Sequence, residues 1–197
     1  MRSDIYELDK LSSDYRAIPA EAEKVAEYNV LDEKKALRLR LLAEEMICML
    51  PQLLIYGKGR FWIENEGSSY ELHLSVTPYD MSASDRDKIL SVSKSGKNAA
   101  AVGIVGKIVN AVEIMLDNNA KLAKDDPYGY FRLGLTEYSD ITAWSLMNYR
   151  DSFDSAAQVE KREAWDELEK SIIANLADDV IVGVLGGKVD IVVKKKF

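Results

Sequence analysis

One cysteine, Cys48, and one histidine, His73, are all that 197 residues contain of either type. A lone cysteine forms no intrachain disulfide. A lone histidine leaves neither a cysteine–histidine zinc cluster nor a two-histidine helical motif such as HExxH. With His73 expected on the polar face of a strand, as an ordinary exposed histidine, no Ser-His-Asp arrangement assembles either. Basic excess is missing too, because 33 acidic residues outweigh 26 basic ones for a net charge of −7. Affinity for nucleic acid rests on clustered Lys and Arg, so nucleic acid is not an expected partner. The one compact basic run, Lys194-Lys195-Lys196, reads as solvating the end of a terminal strand and discouraging edge pairing. No stretch approaches the roughly 18 to 20 apolar residues of a membrane span. The opening MRSDIYELDK has no apolar core of a secretory leader. These absences point to a cytoplasmic protein that does not enter the membrane.

What is present is ordinary globular composition, 47 % hydrophobic and 30 % charged, enough to build a core. The length suits a single domain over 1–197. Pro19 fits the first turn of a helix continuing to about Asn29, and Asp32 caps the next one. In that second helix Leu39, Leu42, Met46, Met49 and Leu50 recur at three- and four-residue intervals, as one buried face requires. Pro51 is expected to end or kink it.

Two alternating runs follow. RFWIENE sets Phe61 and Ile63 against Arg60, Trp62 and Glu64. YELHLSV sets Tyr70, Leu72, Leu74 and Val76 against Glu71, His73 and Ser75. Gly67-Ser68-Ser69 joins them as a hairpin. A polar helix or lid is expected near 82–94, a long helix over 98–116, and another over 158–176 with Trp165, Leu168, Ile172 and Leu176 on one stripe. The chain closes on a hairpin around Gly186-Gly187. Residues 119–175 read as an insertion, with a helical piece near 143–149. Hairpins alternating with helices predict an α+β fold. The expected form is a two-layer sandwich whose mixed, mostly antiparallel sheet is covered on one face by helices.

Glu45 is the first candidate for chemistry. Its neighbours three and four residues away, Leu41, Leu42, Cys48 and Met49, are all apolar, and a carboxylate on an apolar face is a candidate general base. Alternatively it lies at the stripe's edge and reaches water. Glu44, one turn after Arg40, reads as a surface ion pair. In SGKNAAAVGIVGKI, Gly96, Gly103 and Gly106 with Lys97 and Lys107 suit either an anion-binding loop running into a helix or two glycines permitting close helix packing. It is not a P-loop. Reading Gly106-Lys107 as the GK pair puts Ala101 where the first glycine belongs and Ile108 where Ser or Thr is needed.

The run LRLRLLAEEMICML, the two strands after it, the glycine-punctuated helix and the closing VGVLGGKVDIVV together resemble the GHKL ATPase fold. That family includes histidine-kinase catalytic domains, anti-sigma-factor kinases and gyrase-type ATPases. The likeness is closest to the small serine-kinase-type members and covers roughly 18–118 and 176–197. It implies ATP held between the Glu45 helix and a lid segment at 91–107, with Gly96, Lys97, Asn98, Gly103, Gly106 and Lys107 around the phosphates. In the family a helical Glu activates water or the acceptor hydroxyl, and an Asn four residues later holds magnesium. Glu45 matches that Glu, but Met49 occupies the Asn position. In the register starting at Glu44, Cys48 does. Neither offers the oxygen that magnesium requires, so magnesium is expected to add little. The family's DxGxG box corresponds to Thr77-Pro78-Tyr79-Asp80-Met81, where Asp80 stands without either glycine.

Two functional expectations follow from the resemblance. One is a regulatory protein that binds ATP or a related nucleotide with little or no hydrolysis, Glu45 being the base if turnover survives. The other is a non-enzymatic interaction module on a degenerate GHKL scaffold that docks a protein partner through 119–175. Tyr128, Tyr130, Phe131, Tyr138, Trp144 and Tyr149 in that segment suit an interface, and equally a small satellite core.

Overall fold

The computed structural model describes residues 1–9, 15, 17–53, 57–78, 103–124, 143–152, 168–185 and 187–197. In chain order the elements are β1 (Tyr6–Leu8), α1 (Ala17–Tyr28), α2 (Glu33–Leu53), β2 (Gly57–Glu66), β3 (Ser69–Pro78), α3 (Gly103–Lys124), β4 (Ala143–Ser145), α4 (Leu146–Asp151), α5 (Ile172–Leu176), β5 (Asp179–Leu185) and β6 (Lys188–Lys196). The strands form one sheet ordered β1-β2-β3-β6-β5-β4. Every pairing is antiparallel. The C-terminal hairpin thus docks on the first one through β3 and β6, and the described sheet is wholly antiparallel where a mixed, mostly antiparallel one is expected.

Strand periodicity decides which side chains face the helices. One inner row crosses all six strands: Tyr6, Phe61, Leu74, Ile191, Val182 and Trp144. Its four middle members are buried. The α2 stripe meets this layer, with Leu39, Leu42, Met46, Met49, Leu50 and Leu53 all buried. Burying each such side chain stabilises the fold by about 1.5–3 kcal/mol. The buried apolar residues of α1, α2, α3, α4 and α5 belong to the same core cluster, so these helices lie on one side of the sheet.

Local chemistry sets the helix ends. Asp32 accepts the Lys35 N–H at 3.0 Å, the cap expected at the start of α2. That backbone bond and the Lys35 side chain hold the Asp32 carboxyl below its usual range. Contrary to expectation, α2 runs through Pro51 to Leu53. Leu50 and Leu53 are both buried, and only the last turn forfeits a backbone donor.

The helix expected over 158–176 is broken where it can be followed. Residues 168–170 are helical, Ser171 is extended (φ −91°, ψ 122°), and its hydroxyl accepts the Ala174 N–H to start α5. The restart shifts the helical phase, so Ile173 and Ala174 face the core while Ile172 is 41 % exposed. Within 119–175, α3 extends to Lys124, and the helical piece expected near 143–149 is borne out from Leu146 onward as α4, while 143–145 form the edge strand β4. Trp144 and Tyr149 pack against the core with ring centroids 5.8 Å apart. The lid expected at 82–94, Gly186, Trp165, Tyr128, Tyr130, Phe131 and Tyr138 lie outside the described residues. The lysine run keeps its solvating role, with Lys196 exposed and the Lys194 side chain 43 % exposed, but not the edge-protecting one. β6 lies between β3 and β5 and has no edge to protect; Lys195 pairs with Asp178 at 2.8 Å and Lys194 with Glu71 at 3.5 Å.

Candidate functional site

Glu45 sits at the border of the α2 stripe. Leu42 and Met49 beside it are buried, Leu41 is half-buried and Cys48 is exposed. Burial, and secondarily the Glu44 charge, push the Glu45 carboxyl above its usual range. Glu44 itself accepts from Arg40 at 2.8 Å, the surface pair its spacing predicts. Partial desolvation by its neighbours, then the Glu45 and Glu44 charges, push the Cys48 thiol above its usual range, the opposite of what activates a thiolate. Met49 is fully buried in the core.

Of the residues expected around phosphates, Asp80, Gly96, Lys97 and Asn98 lie outside the described residues. Gly103 opens α3 with φ +84°, a conformation that glycine alone adopts cheaply. Gly106 is buried one turn on, and α3 is in contact with α2. A Cβ at Gly103 would meet nothing within 4 Å, so its backbone conformation and not close packing calls for glycine there. Lys107 is exposed. The described part of the expected site therefore consists of one half-buried carboxylate on α2 and the glycine-led start of α3. Among the described residues no cluster of His, Cys, Asp and Glu is placed to hold a metal ion, and no helix is long and apolar enough to cross a membrane.

The face of the sheet opposite the helices is the other candidate. Trp62, His73, Val192 and Ile181 form a row across four strands, all half-buried. The Trp62 and His73 rings stack with centroids 4.8 Å apart and planes 2° apart. The Arg2 guanidinium covers Trp62 at 4.8 Å, a cation–π contact worth about 0.5–1 kcal/mol at a partly exposed position. The Trp62 indole N–H donates to Glu64 Oε1 at 2.8 Å, and Arg2 approaches the same oxygen at 3.4 Å. The second oxygens of two carboxylates turn toward the histidine: Glu71 Oε2 lies 3.4 Å and Glu64 Oε2 3.9 Å from His73 Nε2. Neither is aligned as a hydrogen bond, and Nε2 is buried without a partner. Two residues along β3, the Ser75 hydroxyl is likewise buried and unpartnered.

His73 is therefore not the exposed histidine its strand face suggests. Its side chain is 16 % exposed, because Trp62 covers it. Burial lowers its pKa, against the opposing pull of Glu64 and Glu71. The signal for this cluster lay in the hairpin. A two-residue connection makes Glu66 face Ser69, and counting back along both strands puts Trp62 opposite His73.

No family model, no curated protein and no solved structure matches this chain.

Proposed function

We propose that the protein is a non-enzymatic regulatory module that works by binding a protein partner, on a scaffold resembling the GHKL ATPases. The observation that carries this reading is the side of the sheet that no described helix covers. There an aromatic and aliphatic row, Trp62, His73, Val192 and Ile181, stays half-exposed between charged flanks that include Arg60, Glu71, Asp190 and Lys194. An apolar strip with a polar rim is the composition of a protein interface. On the GHKL resemblance Met49, a thioether buried in the core, stands where a magnesium-binding oxygen would, so this reading assigns the module no magnesium-dependent turnover. A photo-crosslinking residue at position 192 tests the reading in native cells. One discrete adduct is expected, lost when Trp62 and Ile181 are both changed to Asp. Only adducts that survive that change would defeat the proposal.

Nucleotide binding without hydrolysis is the second reading, favoured by the positive-φ Gly103 at the head of the 22-residue α3. Free N–H groups at such a start attract anions. ATP should then raise the melting temperature, with magnesium adding less than a tenfold gain in affinity, about 1.4 kcal/mol. No ATP shift up to millimolar concentrations would eliminate this reading and leave the first intact.

A further inference from the structure

We propose that His73 is a proton-operated switch on the sheet face opposite the described helices: taking up a second proton places a positive charge beside the Glu64 and Glu71 carboxylates and adds it to the surrounding patch. The geometry is that of a site waiting for a proton. Nε2 is buried and makes no hydrogen bond, yet two carboxylate oxygens stand 3.4 and 3.9 Å from it. Each of those carboxylates already spends its other oxygen elsewhere. Glu64 Oε1 accepts from Trp62 and faces Arg2, and Glu71 Oε1 faces Lys194 at 3.5 Å. Glu64 Oε2 and Glu71 Oε2 are thus turned toward the ring from adjacent strands. A neutral imidazole gains little from them, whereas an imidazolium gains the attraction of both charges.

The charged groups around the ring set where the switch acts. From β2 comes Glu64, with Arg2 beyond the Trp62 ring; from β3 itself, Glu71; and from β6, Asp190 and Lys194 on either side of Val192. Glu64, Glu71 and Asp190 favour the proton, Arg2 opposes it, and the dry stack on Trp62 opposes it most. The proton comes from solvent and adds to the ring nitrogen that lacks one, with no bond broken. The stack supplies the readout, because an imidazolium lying flat on an indole quenches its emission. Any partner docking on this face meets a patch whose charge depends on pH; that consequence rests on the docking reading above, but the titration does not.

Because His73 is the only histidine, its imidazole Hε1 resonance titrates without ambiguity. NMR from about pH 5 to 7 on the full chain, with circular dichroism confirming the fold, should give a midpoint below the ordinary histidine value. Tryptophan emission should fall through the same midpoint, and His73→Gln should abolish that fall. Glu71→Gln should lower the midpoint by roughly 0.3 to 0.7, as expected of a partly exposed carboxylate at this distance. A midpoint at or above the ordinary value would overturn the proposal. So would one indifferent to Glu71→Gln, or a titration coinciding with loss of the folded signal.

Discussion

Val30→Gly should stabilise the protein by about 1 kcal/mol. Val30 closes α1 in the left-handed region, φ +52°, and is the only non-glycine residue there among those described. Its N–H donates to the Glu27 carbonyl and the Leu31 N–H to the Ala26 carbonyl, both at 3.0 Å, the paired bonds of a Schellman cap. Leu31 then packs against the core, which fixes the turn. The left-handed conformation costs an L-residue about 1–2 kcal/mol, and β-branching puts valine toward the upper end. Glycine relieves that strain but loses about 0.5–1 kcal/mol of extra chain entropy on folding. The valine side chain is 88 % exposed, so removing it forfeits almost no burial. The difference is about 1 kcal/mol, or a rise of roughly 2–4 °C in melting temperature for a chain of this size. Urea denaturation should show a higher midpoint at unchanged slope. Val30→Asn, which tolerates the same φ, should gain in the same direction, while Val30→Ala should stay near the parent. A Val30→Gly midpoint at or below the parent's would refute the reasoning and show that contacts of the valine outweigh its strain.

Glu45→Leu should be at least as stable as the parent at neutral pH. The raised Glu45 pKa means the charged form is disfavoured by folding, a handicap absent below the ordinary carboxylate value and full above the raised one. The advantage of Leu should therefore shrink toward pH 4, and a less stable variant at pH 7 in chemical denaturation would show that the carboxylate has a partner. Ser75→Ala should stabilise by about 1 kcal/mol, since it removes a buried hydroxyl that bonds nothing; a loss in thermal unfolding would reveal a hydrogen bond or water at that hydroxyl. His73 lowers stability as pH falls. Its folded pKa lies below its unfolded one, so the unfolded chain binds the proton first and stability declines from about pH 6.5 downward. His73→Gln should flatten that part of the stability–pH curve, and an unchanged slope would count against the buried stack.

Local pattern alone carried a large part of this structure. Period two along 61–76 placed Phe61, Ile63, Tyr70, Leu72, Leu74 and Val76 in the core, and period 3.6 along α2 did the same for Leu39 to Leu50. These repeats are legible because one buried face is a property of the segment itself. The cap at Asp32, the hairpin at Gly67 and the Arg40–Glu44 pair were legible for the same reason: their partners lie within four residues. What only the tertiary structure decided depends on neighbours distant in the chain. β6 became an interior strand because β5 and β3 both pair with it, so Lys194 and Lys195 found Glu71 and Asp178 as partners and guard no edge. Ser171 broke a helical stripe at a point that periodicity does not mark. His73, polar-faced by alternation, was stacked and desolvated by a tryptophan on the next strand, with carboxylates from two strands turned toward it. A sequence states which face a residue takes; the pairing of strands states what waits for it there.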